Sequence, residues 1–146
     1  MKNATVLSGV IGAIGAFFST AMGGWTTGMQ TLLIFMGIDY LTGLIVAGVF
    51  KNSTKSESGA LESRAGWKGL CRKGMTLLIV LISYRLDLML GTSYIRDAVI
   101  ITFAVNEALS ILENAALMGL PLPAVLVKAL DVLKQKAAFD EGAENE

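Results

Sequence analysis

Two carboxylates lie within a strongly apolar stretch, residues 98–123, and their spacing groups them with three other polar side chains. At about 100° per residue, all five fall within roughly a third of a helix circumference. In a bilayer, each ionised side chain near the centre of such a helix costs about 2.5–3.5 kcal/mol. This polar stripe must therefore face protein, water or both. Its members are Asn106, Glu107, Ser110, Glu113 and Asn114.

The composition favours a membrane protein. The chain has 146 residues, enough for one domain, and 53% of them are hydrophobic. Charged residues make up 16%, against an average of about 25%. The mean hydropathy is +0.61. Formal net charge is zero, so no basic field indicates a nucleic-acid partner.

Most catalytic chemistry is excluded by residue type. The sequence has no histidine, which removes Ser-His-Asp and Cys-His nucleophile systems and the usual zinc ligand sets. Cys71 is alone and cannot form an intrachain disulfide, and we interpret it as a small residue at a helix start. We find no glycine-rich phosphate loop, metal cluster or nucleophile elbow. We therefore expect no enzyme activity, no metal and no cofactor.

The first half of the chain predicts two membrane spans. No charge occurs between Lys2 and Asp39, a run of 36 residues. A single helix of that length would measure about 54 Å, whereas the hydrocarbon core is about 30 Å thick. We expect a reversal in the Gly/Thr cluster at 23–28, giving spans at about 5–22 and 29–50. A cleaved signal peptide ending near residues 19–21 is the alternative for the first span.

Small residues recur along both spans. Gly9, Gly12 and Ala16 lie on or beside one face of the first span, which allows close helix packing in lipid. The alternative explanation is the general abundance of glycine in membrane helices. In the second span, Gly43 and Ala47 share a face with Asp39, indicating a close contact or a wet surface that shelters this charge. Tyr40 and Thr42 are nearby hydrogen-bonding candidates.

A basic segment separates the two hydrophobic halves. By the positive-inside rule it is cytoplasmic. Residues 52–59 resemble a flexible polar linker. Residues 65–73 either lie on the anionic inner leaflet, with Trp67 as anchor, or lead into the next helix. The basic residues expected at the membrane surface are Arg64, Lys68, Arg72 and Lys73.

The second half predicts another hairpin, with spans at about 74–90 and 98–118. Arg85 and Asp87 lie about 200° apart on the third span, so they do not pair. Gly119 to Pro123 ends the fourth span. An amphipathic helix at about 124–136 and an acidic disordered tail at 137–146 follow. The prediction is thus an all-α membrane protein with four transmembrane helices in two hairpins, and both termini in the cytoplasm.

Four motifs stand out in order along the chain: Asp39-Tyr40-Leu41-Thr42-Gly43, Gly66-Trp67-Lys68-Gly69-Leu70 with Lys73, Asn106-Glu107 with Ser110-Ile111-Leu112-Glu113-Asn114, and Gly119-Leu120-Pro121-Leu122-Pro123. In both order and spacing, these motifs resemble those of the toxin-secretion/phage-lysis holin family. The resemblance covers about residues 24–134.

The resemblance implies a phage or prophage protein of the bacterial cytoplasmic membrane. Such holins accumulate, oligomerise into lesions and let a cytoplasmic endolysin reach the peptidoglycan. The expected partners are therefore the lipid bilayer, other copies of the chain and, functionally, an endolysin; an antiholin is a further partner that the resemblance leaves open. Some relatives are linked instead to the release of large toxins.

The residues themselves leave the function open among three classes. On the holin hypothesis, Asp39, Glu107 and Glu113 are sequestered in helix contacts until the polar stripes meet water and line a hole. A small ion channel or transporter would use the same groups for selective flux. A membrane adaptor would use its basic loop to recruit a partner and change no permeability.

Overall fold

The computed structural model describes residues 2–129, 131, 132 and 135. Long helices dominate, and this part of the chain contains no β-strand. A short π-helical segment, Val46–Phe50, continues the second helix. The helices are α1 (Lys2–Ala21), α2 (Thr27–Ile45), α3 (Ser63–Leu90) and α4 (Ile95–Leu117).

The all-α prediction is confirmed for the described residues, and helices occupy the four predicted spans to within one residue, while the membrane crossing of α3 and α4 stays a prediction. One boundary differs markedly, because α3 begins at Ser63 rather than near residue 74. Residues 65–73 therefore belong to the first turns of α3, and their contact with the inner leaflet stays a prediction. Two helical segments, Ala4–Ala21 and Thr27–Phe50, are long and apolar enough to cross a membrane.

Helices α2, α3 and α4 form a bundle in which α4 packs against both others. Leu32 of α2, Val80 of α3 and Ile100 of α4 are each almost completely buried where the three helices meet. Met29 and Met36 complete the α2 contribution to this core. Methionine fills irregular gaps well, which suits the junction of three helices. The core therefore fixes the mutual register of the three helices.

Helix α1 lies outside this bundle. Gly23 and Gly24, with φ of 83° and 88°, turn the chain between α1 and α2. The apolar side chains of α1 are exposed. A Cβ added at Gly9 or Gly12 would meet no atom within 4 Å. The small-residue face predicted for the first span thus packs against nothing within the described chain.

The segment between α2 and α3 folds back over the bundle. Lys51 adopts the left-handed conformation, with φ of 50°, and ends the π-helical segment. Ser53 N donates to Gly59 O at 2.9 Å, and Ser56 Oγ donates to Ala60 O at 2.8 Å. The sequence predicted a flexible linker here, whereas the structure has a hydrogen-bonded loop.

The C-terminal prediction is covered only in part. Residues 124–129 are helical, and the Leu126 and Val127 amides donate to Pro123 O at 3.0 and 3.3 Å. Residues 131, 132 and 135 are helical too. The other positions of the predicted amphipathic helix, and the predicted disordered tail at 137–146, lie outside the described residues.

Candidate functional site: an ionic cluster between three helices

Lys73 joins the two acidic helices at the centre of the bundle. Its Nζ donates to Asp39 Oδ2 of α2 at 2.8 Å and also to Glu107 Oε2 of α4. The lysine side chain is only 13% exposed, and the two carboxylate side chains are 9% and 15% exposed. One ammonium group thus connects three helices away from bulk solvent.

The folded-back loop supplies a second ammonium group. Lys55 Nζ lies 3.3 Å from Asp39 Oδ1 and donates to Ser110 Oγ of α4 at 3.0 Å. Its side chain is 44% exposed, so this lysine closes the solvent side of the site. We call Asp39, Lys55, Lys73 and Glu107 the ionic cluster. With all four groups ionised, its formal charges sum to zero.

The side-chain amide of Asn114, one helical turn after Ser110, adds hydrogen bonds between α4 and α2. Asn114 Nδ2 donates to Asp39 Oδ1 at 3.2 Å, to Asp39 O at 3.3 Å and to Thr42 Oγ1 at 2.9 Å. Thr42 Oγ1 in turn donates to Ile38 O at 2.8 Å. A Cβ added at Gly43 would lie 3.8 Å from Asn114 Nδ2 and 4.0 Å from Lys55 Nζ, so this glycine lies beside both groups at ordinary van der Waals distance. The amide therefore connects α4 to the Asp39–Gly43 turn of α2.

Burial makes this cluster dependent on all its members. Each buried ion costs several kcal/mol to desolvate, and its partners recover that energy only when their geometry is good. Removing one partner from such a pair typically costs about 3–5 kcal/mol. The cluster therefore ties α2, α3, α4 and the loop together as one unit.

A cavity of about 250 Å³ adjoins the cluster between α2, the loop and α3. Tyr40 forms part of its wall and lies against two glycines of α3, since Cβ atoms added at Gly66 and Gly69 would lie 3.6 and 4.0 Å from its side chain. At the loop wall, Ser58 Oγ and N donate to Glu62 Oε1 at 2.6 and 3.2 Å. These hydrogen bonds hold the pKa of the exposed Glu62 carboxyl below its ordinary value.

A second polar cluster closes the opposite end of the bundle. Asp87 of α3 caps α4, accepting hydrogen bonds from Thr92 Oγ1 at 2.6 Å, Ile95 N at 3.1 Å and Arg96 N at 2.8 Å. Arg96 Nη2 donates to Gly24 O at 2.8 Å, and its guanidinium lies 5.8 Å from the Tyr84 ring centroid. This end therefore links the α1–α2 turn to the α3–α4 turn.

The five residues of the predicted polar stripe lie in two different environments in the structure. Glu107, Ser110 and Asn114 meet Asp39 or its lysine partners. Asn106 is exposed and lines the cavity. Glu113 is exposed and makes no ion pair with any described residue. Only part of the stripe is thus sequestered within one chain.

The four basic residues predicted at the membrane surface also differ in their exposure. Arg64, Lys68 and Arg72 are exposed, and their contact with a membrane surface remains a prediction. Lys73 was grouped with them from the sequence, and that placement is wrong because its amine lies inside the bundle. The sequence reasoning also missed Lys55. One feature of the sequence points to both lysines. Carboxylates within apolar helices favour pairing with cations, and the basic segment between the second and third helices supplies the nearest lysines.

Two helical segments are long and apolar enough to cross a membrane, and one of them, α2 with its π-helical extension, holds Asp39 of the charge-balanced cluster; both features point to a small helical membrane protein. The model of the bacteriophage holin family matches residues 16–135. The chain belongs to the bacteriophage holin family, and this membership indicates a non-enzymatic membrane protein.

Individual relatives agree with this assignment. The chain is 32% identical over 120 residues to a probable holin of Bacillus phage phi105, covering 79% of this chain and 83% of that one. It is 36% identical over 126 residues to an uncharacterized 14.9 kDa protein in the nagH 3′ region of Clostridium perfringens, covering 85% and 89%. It is also 36% identical over 134 residues to the protein Lmo0128 of Listeria monocytogenes, covering 91% and 89%. No solved structure matches the chain.

Proposed function

We propose that the protein is a holin whose copies assemble in the bacterial cytoplasmic membrane into lesions that release an endolysin. In this proposal α1 to α4 all cross the bilayer, and both termini and the folded-back loop are cytoplasmic. The family membership supports the holin role. The basic loop supports the orientation through the positive-inside rule.

The observation that carries the mechanism is the ionic cluster: its formal charges sum to zero, and three of its side chains, Asp39, Lys73 and Glu107, are only 9%, 13% and 15% exposed. Asp39 lies near the middle of the candidate span Thr27–Phe50, where an unpaired charge is expensive. Pairing with Lys73 and Lys55 makes the closed bundle compatible with lipid. The closed chain therefore corresponds to the harmless form that accumulates before lysis.

In the opening step α2 separates from α4, and the ionic cluster becomes exposed to water. The cavity has Asp39 and Lys73 in its wall and, at about 250 Å³, has room for more than one water. Water entering there hydrates the charges as their pairs break. Many copies opening together then share one aqueous seam lined by the stripe of α4, including Asn106 and Glu107.

The direct test is inducible expression in bacteria with a membrane-potential dye, with and without a cytoplasmic endolysin. We expect an abrupt loss of potential in both cultures and lysis only where endolysin is present. Endolysin alone is the control and should leave the cells intact. Solute-selective flux without lysis would indicate a channel or transporter, and unchanged permeability would indicate an adaptor. Either result overturns the proposal.

A reversible lock tests the opening step. A Cβ at Gly28 would lie 3.2 Å from Ile100 Cγ2, so these two positions of α2 and α4 face each other and are the pair chosen for a cysteine cross-link. In a Cys71→Ser background, oxidised Gly28→Cys/Ile100→Cys protein should accumulate without depolarising cells, and adding a reductant should trigger depolarisation. The single-cysteine variants are the matched controls. Depolarisation by the fully oxidised protein would refute separation of α2 from α4.

A further inference from the structure

Three exposed cations share one face of α3 near its start. Arg64, Lys68 and Arg72 follow one another at intervals of four residues, so on an α-helix they fall within about 80° of one another. All three are exposed, and none pairs with a carboxylate of the described chain. Lys73, the next residue, is instead held inside the ionic cluster. We call Arg64, Lys68 and Arg72 the basic stripe.

No carboxylate of the described chain compensates this concentration of positive charge. Helix α3 has no acidic residue in its first turn, and the sequence has none between Glu62 and Asp87. The Glu62 side chain accepts hydrogen bonds from Ser58 and does not cap the helix. Cations near a helix N-terminus are unfavourable because the positive end of the helix dipole lies there, and like charges four residues apart repel. The basic stripe therefore weakens the start of α3 unless an anion from outside the chain compensates it.

The same face of α3 becomes apolar further along the helix. Met75, Leu78 and Ile82 are all exposed, and viewed down the axis they lie within about 40° of Arg64. One continuous exposed surface is thus basic before Lys73 and apolar after it. A change of this kind is expected where a helix passes from the headgroup layer into hydrocarbon.

The dimensions of α3 agree with that placement. No charged residue lies between Lys73 and Arg85. The exposed cations Arg72 and Arg85 are about 20 Å apart along the axis, and their long side chains extend outward towards the two surfaces of a core about 30 Å thick. The whole helix of 28 residues is about 42 Å long, which matches a bilayer of about 40–45 Å with its headgroup layers. With the loop cytoplasmic, the basic stripe lies at the headgroups of the inner leaflet.

We propose that the basic stripe binds the phosphate groups of anionic phospholipids in the inner leaflet. This inference rests on the proposed function, because it uses the membrane placement and the orientation stated there. Arginine binds phosphate oxygens in a bidentate manner, and lysine adds a point charge. Trp67, which is 67% exposed and about 60° from Arg64 around the helix, is a residue type that favours the same interface. Bound lipid then supplies the negative charge that the chain lacks at the start of α3.

Trp67 is itself a probe of this site. The chain has two tryptophans, so a Trp25→Phe background leaves Trp67 as the sole tryptophan. We reconstitute this protein in phosphatidylcholine nanodiscs and add increasing fractions of phosphatidylglycerol or phosphatidylcholine brominated on the acyl chains. Bromine quenches tryptophan fluorescence at short range, so half-maximal quenching should require a lower mole fraction of the brominated phosphatidylglycerol. Equal mole fractions for the two brominated lipids would overturn the proposal.

Charge removal identifies the residues responsible. Arg64→Gln, Lys68→Gln and Arg72→Gln should each raise the mole fraction of phosphatidylglycerol for half-maximal quenching by about fivefold, the factor expected for one cation near an anionic surface. Arg85→Gln is the matched control, because it removes an exposed cation near the other end of α3, far from Trp67. Its value should equal that of the parent protein. Equal shifts in all four variants would show an effect of overall charge and overturn the site.

A different occupant would also be detected. Polyglutamate added to the nanodiscs mimics an acidic protein. If phosphatidylglycerol has no advantage but polyglutamate shifts the Trp67 emission only when the basic stripe is intact, the surface binds acidic protein and the lipid proposal is wrong. The three cations are exposed, so far-UV circular dichroism of each variant should match the parent protein and exclude misfolding as the cause.

The lipid site and the proposed function fail separately, because quenching is measured without any opening step. A preference for phosphatidylglycerol, with no depolarisation of cells by the wild type, would refute the holin function and leave the lipid site standing. Depolarisation by the wild type, with no such preference, would refute the lipid site and leave the function standing.

Discussion

Replacing Lys73 by methionine removes the one cation that, among the described residues, pairs with both Asp39 of α2 and Glu107 of α4. Methionine keeps much of the length of the lysine chain but carries no charge. Asp39 retains Lys55 and Asn114, whereas Glu107 loses the only salt-bridge partner that the described residues give it. Losing one partner of a buried pair costs about 3–5 kcal/mol. Because Asp39 keeps two partners, we expect the lower end, about 3 kcal/mol.

Thermal unfolding in detergent, followed by far-UV circular dichroism, measures this loss. For a chain of this size, 1 kcal/mol corresponds to about 2–4 °C in Tm, so Lys73→Met should lower Tm by about 6–12 °C. Arg64→Met is the matched control, since it removes an exposed cation from the same helix. Its Tm should stay within about 2 °C of the wild type, as is usual for isolated surface substitutions.

A second substitution tests whether the cause is an unpaired carboxylate. Adding Glu107→Gln to Lys73→Met removes the orphaned charge, so the double variant should be more stable than Lys73→Met alone. The coupling between the two positions should reach about 1–3 kcal/mol. Two outcomes would show that the cluster does not hold the bundle closed. One is a Tm of Lys73→Met equal to that of Arg64→Met, and the other is additive effects of Lys73→Met and Glu107→Gln on stability.

Three further predictions follow from the turns and from α1. Asp87→Asn weakens the cap of α4, so it should lower stability by about 1–2 kcal/mol and speed hydrogen exchange at Ile95 and Arg96. Gly23→Ala should destabilise more than Gly24→Ala in denaturant unfolding: both residues have positive φ, but only at Gly23 does an added Cβ lie 2.7 Å from the Tyr84 ring. Gly12→Leu should leave bundle stability unchanged, because nothing lies near that Cα, yet shift the cross-linked oligomer distribution if α1 packs between copies.

The sequence predicts the helices well because their signals are local. The uncharged run up to Asp39, the break at Gly23 and Gly24, and the stop before Pro121 each act within a few residues. Helix α3 is the exception at its start. Its first turns carry basic residues and glycines that pack against Tyr40, so they become helical through tertiary contact rather than apolar periodicity.

The site was only partly predictable, for a different reason. Helical periodicity places Glu107 and Glu113 on one stripe, but it cannot say which of them meets a cation. That choice depends on the axial register of α3 against α4, which the core around Val80 and Ile100 sets. The contact of Lys55 with Asp39 could not be predicted for a similar reason, because it depends on the chain reversal at Lys51 that brings the loop back to α2.

The distribution of charge among the segments bears on how opening must proceed. Within the cluster, α2 and α4 each contribute one negative charge, and α3 and the loop each contribute one positive charge. The closed bundle is therefore neutral there, but every separated segment is charged. A single chain that opened in lipid would expose several such charges at about 2.5–3.5 kcal/mol each near the bilayer centre. Under the proposed holin function, opening thus becomes favourable only where neighbouring copies share a water-filled seam, and we therefore expect the step to depend steeply on the local density of the protein.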